Sequence, residues 1–95
     1  MPWQNPTGYA LNHVSLLAHA PAAPGVYAIY SGKRWVYFGE SEDLRRRLLE
    51  HLTDRSHCMH QFPDLQYSVE LAPNRVDRLQ DLLRAYPTPC NSRYE

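Results

Sequence analysis

The chain has 95 residues, 43% hydrophobic and 12% aromatic, with 10 Lys and Arg against 10 Asp and Glu, for a formal net charge of zero. That length holds one domain with a single core and excludes a second, and the aromatic content argues for a folded globule. A neutral balance gives no whole-chain field toward nucleic acid or membrane, so any basic surface must come from local segregation of charge.

Taken in order, the opening MPWQNPTGYA carries Pro2, Pro6 and Gly8 and reads as irregular until about Leu11. It lacks the basic and apolar regions of a signal peptide, and no apolar run approaches a membrane span of about 20 residues, so a soluble, cytoplasmic protein with no membrane contact is expected. LNHVSLLAHA reads as a short helix ended by PAAPG. GVYAIY and WVYFG, joined by SGKR, read as an antiparallel hairpin. Ser41, Glu42 and Asp43 signal a helix start, Ser41 as the cap, and that helix should run to about Thr53. On it Leu44, Leu48, Leu49 and Leu52 form an apolar arc, with Arg47 and His51 on the flank beside Leu44. DRSHCMHQFPD is a loop, LQYSVEL alternates as a third strand, and Asn74 caps a last helix stopped by YPTPCN. The fold class is therefore α/β (α+β), a small three-stranded antiparallel sheet flanked by helices.

GVY at 25 to 27, YFG at 37 to 39, DLRRRLLEHL after the second glycine, a third strand and a terminal helix running into PTPCN form an ordered set. It resembles the GIY-YIG nuclease superfamily, as a small single-domain member. The resemblance covers residues 24 to 91, leaving residues 1 to 23 as an N-terminal extension of one domain. It implies DNA phosphodiester hydrolysis with a divalent metal, Mg2+ or Mn2+.

The residue chemistry agrees in part. Hydrolysis needs an activated water and charge stabilisation at the phosphate. Tyr27 and Tyr37, on neighbouring strands, are placed to share a face; a phenol with a pKa of about 10 is a poor base at neutral pH, so a cation must lower it or it serves as a positioning or relay group. Arg47 suits the phosphate, because its guanidinium stays charged and offers two parallel hydrogen bonds. His51, its i,i+4 neighbour, can contact phosphate or orient a tyrosine. By analogy Asn91 helps shape the site, and Lys33 and Arg34 serve substrate binding. A histidine of the following loop, His57 or His60, completes the family pattern.

Each residue has a plainer explanation. Tyr27 and Tyr37 can be core-edge residues, Arg45 and Arg46 a solvated face, and Asn91 a turn residue. His57, Cys58 and His60, with distant Cys90, are spaced too tightly for a usual zinc site. Two cysteines are too few for a disulfide framework and agree with a reducing compartment.

The chain departs from the family at one position. Active members hold the metal with a glutamate on the last helix, and aligning Leu82, Leu83 and Asn91 puts Leu79 there. Val76, Leu79, Leu82, Leu83 and Tyr86 form one inward arc, with Asp77 and Asp81 opposite. Glu40 and Glu70 are the remaining acids within reach of the site, and Glu40 is the candidate metal ligand. The expected function is DNA endonuclease action impaired at Leu79. The alternatives are a nucleic-acid-binding pseudoenzyme that cuts poorly or not at all, and an interaction module that keeps only the scaffold. A domain this small needs a dimer or a partner protein for sequence specificity.

Overall fold

A computed structural model describes residues 3–92 of the chain. The hairpin forms as its sequence demands. Strands β2 (Gly25–Ser31) and β3 (Arg34–Ser41) pair antiparallel around Gly32 and Lys33, with Gly32 at φ +60, the conformation that a two-residue hairpin loop asks of its first residue. The expected third strand is β4 (Leu65–Leu71), antiparallel to β2 on its other side. One strand exceeds the expectation. Tyr9–Ala10, numbered β1, adds to β4, so the sheet among the described residues has four strands in the order β1-β4-β2-β3. Two residues bounded by Gly8 and the helix start carry too little periodicity to be read as a strand.

The helices are α1 (His13–His19), α2 (Leu44–Thr53), α3 (Arg75–Ala85) and the short α4 (Pro89–Ser92), with a 3-10 turn over Cys58–Gln61 inside the expected loop. The cap of α2 is Asp43, whose side chain accepts from the Arg46 amide; Ser41 instead folds back on Asp43. The acid lies two residues nearer the helix, so its carboxylate reaches the free N–H group first. Asn74 precedes α3 without a side-chain cap bond.

Both faces of the sheet are covered, which is why β2 is buried continuously from Gly25 to Ile29. Tyr27 and Ile29 face one apolar layer with Leu16, Leu44, Leu48, Met59 and Tyr67. Val26, Ala28 and Phe38 face the other with Leu82, against which Trp3, Trp35, Leu79, Leu83 and Tyr86 pack. Val76, expected on the inward arc of α3, is 57% exposed. Arg78 takes the buried place beside Leu82, its guanidinium paired with Glu70 of β4. An ion pair with two hydrogen bonds satisfies the burial that a hydrophobic arc would otherwise claim.

Register shifts where Ile29 faces Tyr37 and Tyr30 faces Trp35, so Val36 is an extra residue in β3. Val36 and Tyr37 therefore both address the Tyr27 layer, while Trp35 and Phe38 address the other. A bulge re-aims side chains, and here it supplies Tyr37 to the site and Trp35 to the opposite face.

Cys58 and Cys90 form a disulfide with Cα atoms 5.5 Å apart, joining the 3-10 turn to α4. This corrects the reading of two unlinked thiols. Thirty-two residues separate them in sequence, and only the fold brings them together. No helix of the described residues is long and apolar enough to cross a membrane.

Candidate active site

Tyr27 and Gly39 are direct cross-strand partners. The Tyr27 ring lies over Gly39 so closely that a Cβ at residue 39 would sit 2.3 Å from its hydroxyl, so the glycine is required by the phenol's path. One helical turn separates Arg47 from His51 on α2, and the latter's Nε2 meets the Tyr27 hydroxyl at 2.7 Å. Tyr37 lies beside both, its ring centroid 6.1 Å from that of Tyr27 and 5.7 Å from that of His51. The structure thus brings Tyr27, Tyr37, Arg47 and His51 together on one face.

His57 joins them. Its ring stands edge-on to Tyr37 at 4.7 Å and to His51 at 4.9 Å, and its Nδ1 accepts from the Met59 amide, which leaves the proton on Nε2. His60 supports the cluster from outside, bonding the His51 carbonyl through Nε2 at 2.8 Å. The sequence holds no signal that separates His57 from His60; the 3-10 turn decides which ring faces inward.

Burial governs the electrostatics. Tyr27 is 1% and His51 2% exposed. Desolvation, reinforced by Tyr37, raises the Tyr27 pKa, and the charge and hydrogen bond of Arg47 oppose this without reversing it. The phenol keeps its proton, so of the two expected alternatives the positioning or relay role is the one that this setting supports. Desolvation, then the charges of Arg47 and His57, bring His51 down to about 3, so its imidazole is neutral at pH 7 and can accept from Tyr27. A protonated Tyr27 can therefore donate to the neutral His51, with the Arg47 charge close by. Burial likewise lowers His57, with Asp54 working the other way. Arg47 is 43% exposed and shares its guanidinium with Glu50 at 3.1 Å, so a ligand anion can reach it from solvent.

Three predicted residues stand elsewhere. Glu40, the candidate metal ligand, alternates with Gly39 and so points to the α3 face, where its carboxylate is bound by Arg75 at 3.0 Å. Lys33 and Arg34 sit at the hairpin end, Arg34 with its guanidinium 5.2 Å from the Phe62 ring centroid. Asn91 is buried and acts on backbone: Phe38 N–H donates to its Oδ1 at 2.9 Å, and its Nδ2 donates to Phe38 O at 2.8 Å. It replaces a missing strand partner along the free edge of β3, between Tyr37 and Gly39. Arg45, expected in solvent, donates from Nε to the Ala20 carbonyl at 2.8 Å.

Among the described residues no group of three or more His, Cys, Asp or Glu side chains is placed to hold an ion. Leu79 lies in the apolar layer behind the sheet.

No family model matches the chain. UvrABC system protein C of Hydrogenobaculum sp. (strain Y04AAS1) is 34% identical over 85 residues, covering 82% of this chain and 15% of that protein. The same protein of Aquifex aeolicus (strain VF5) is 45% identical over 38 residues, 40% of this chain and 7% of that one. The chain thus spans a small part of the curated relatives it matches. Crystal structures of the GIY-YIG N-terminal endonuclease domain of UvrC from Thermotoga maritima, two point mutants bound to the catalytic divalent cation, superpose with a TM-score of 0.60 at 21% and 20% identity. Each comparison covers 74% of this chain and 83% of that one.

Proposed function

Because the chain belongs to the GIY-YIG superfamily, we propose that it acts on DNA phosphodiester bonds at the Tyr27, Tyr37, Arg47 and His51 cluster, with metal-assisted cleavage curtailed at Leu79. The observation that carries the reading is the 2.7 Å hydrogen bond between the Tyr27 hydroxyl and Nε2 of a neutral His51, with the Arg47 charge beside it.

Arg47 binds the non-bridging oxygens of the scissile phosphate. That anion offsets the Arg47 charge, one of the causes that hold His51 low, so substrate binding makes His51 a better base. Water attacks phosphorus as the P–O bond to the leaving strand breaks; the water passes its proton to the Tyr27 oxygen while the Tyr27 proton moves to His51 Nε2, and the leaving alkoxide takes a proton from solvent. Tyr37 and His57 wall the site and keep His51 oriented. Asn91 holds the backbone between Tyr37 and Gly39 and so positions both tyrosines.

The solved UvrC domains are bound to a catalytic divalent cation. With Leu79 at the position of the family's carboxylate and Glu40 paired with Arg75, no step is assigned to an ion and slow cleavage is expected in Mg2+ or Mn2+. Nicking of supercoiled plasmid by the native chain tests this. Tyr27→Phe and Arg47→Ala should each lower the rate by about a hundredfold or more. Leu79→Glu should raise both the rate and the melting temperature on adding metal, whereas the native melting temperature stays constant. Nicking that ignores both site variants would sink the reading. Duplex binding lost in Arg47→Ala, with no cleavage by any variant, would favour a nucleic-acid-binding domain that does not cut.

A further inference from the structure

On the face away from Tyr27, the N-terminal segment builds a cavity of about 380 Å³ that is lined by neither Arg47 nor His51. Its wall is aromatic. The Trp35 ring, placed there by the Val36 bulge, lies 5.6 Å from Tyr30, 5.5 Å from Tyr86 and 6.2 Å from Trp3, centroid to centroid. Residues 3 to 5 are tied down over it. The Trp3 amide donates to the Tyr86 hydroxyl at 3.1 Å and its indole to Ser68 Oγ at 3.1 Å; Gln4 N–H bonds Glu70, and Asn5 Nδ2 bonds the Val69 carbonyl. These residues precede residue 24 and so lie outside the stretch that carries the family resemblance.

The lining selects its ligand. No Asp or Glu lines the cavity, and Lys33 is its one cation, with no ion pair among the described residues. A second concavity of about 530 Å³ shares Lys33 and Trp35 and adds Arg34 and Thr88. Flat aromatic walls favour a planar ring, hydroxyl groups of Thr7 and Tyr30 offer hydrogen bonds, and adjacent cations favour a phosphate chain leaving along the second concavity. A volume near 400 Å³ is in the range of small-ligand sites. A cationic ligand would meet Lys33, which disfavours it. We propose that this cavity takes one unpaired base of a DNA strand, with Lys33 on the attached phosphate and Arg34 on the next. The inference rests on the nucleic-acid reading above and adds a second contact on the opposite face of the sheet.

Both tryptophans of the chain line this cavity, so intrinsic fluorescence reports on it directly. Titrating the full chain with a short single-stranded oligothymidylate at low salt should quench tryptophan emission saturably, and a fully paired duplex should quench it less. Lys33→Ala, at the exposed turn, and Thr7→Phe, which fills the cavity, should each weaken the oligonucleotide about fivefold or more while the melting temperature is kept. Quenching that is absent, or unchanged in both variants, overturns the proposal. So does quenching by a proline-rich peptide with none by the oligonucleotide, which would mark a peptide groove. Plasmid nicking by the native chain reads the other face: nicking without quenching removes the cavity alone, and quenching without nicking keeps the cavity and removes the cleavage reading.

Discussion

Tyr27 and His51 are both buried and share a 2.7 Å hydrogen bond, and that bond has a consequence for stability as well as chemistry. The folded protein holds His51 at about 3, against 6.5 for the free side chain, chiefly by desolvation. Between those values the unfolded chain binds a proton that the folded chain refuses. Stability should therefore fall as pH drops from about 6.5 toward about 3, by an amount on the order of a few kcal/mol at the lower end, and be unaffected by this group above pH 7. Urea denaturation across that range checks it. His51→Gln, which cannot titrate, should flatten the profile even if it is less stable at pH 7.

Asn91 shows how one element supports the site in another. On β3, Phe38 directs both its N–H and C=O outward, and the Asn91 amide satisfies the two at 2.9 and 2.8 Å. Asn91→Ala would leave both groups buried and unpaired. Each such loss costs about 1–3 kcal/mol, so a destabilisation of roughly that size or somewhat more is expected in urea. Plasmid nicking should fall as well, since Tyr37 and Gly39 flank Phe38. Asn91→Asp keeps the acceptor and loses the donor, and should lie between the two; equal stability of all three would remove the edge-pinning role. The neighbouring disulfide from Cys90 to Cys58 ties the same α4 to the turn carrying His57, so both supports of the site converge on one short helix.

At the scale of the whole molecule, 10 cations balance 10 anions, and much of the basic charge is already engaged. Arg75 pairs with Glu40 and Glu42, Arg78 with Glu70, and Arg84 with Asp81. At the two proposed contacts that leaves Lys33, Arg34 and Arg47, the last shared with Glu50, to meet phosphates. The logarithmic salt dependence of DNA binding should accordingly have a slope of about −2 to −4, with weak affinity at physiological salt. Titrations at several salt concentrations measure it. A slope near zero, or one much steeper, would mean that other surfaces carry the binding.

Local pattern determined the hairpin, α2 to its last residue Thr53, and β4, because alternation, helical periodicity and turn residues act over short stretches of chain. The same helical periodicity placed Arg47 and His51 on the inward flank of α2. Only the tertiary structure decided matters that depend on distant partners. It chose His57 over His60 and linked Cys58 to Cys90. Strand alternation past Gly39 turned Glu40 away to Arg75, and the Glu70 carboxylate drew Arg78 inside. Asn91 became an edge-strand clamp on a residue 53 positions away. The extra residue Val36 is the clearest case: nothing local in WVYFG marks it, yet the pairing with β2 requires it, and it sets which ring faces the site and which faces the second cavity.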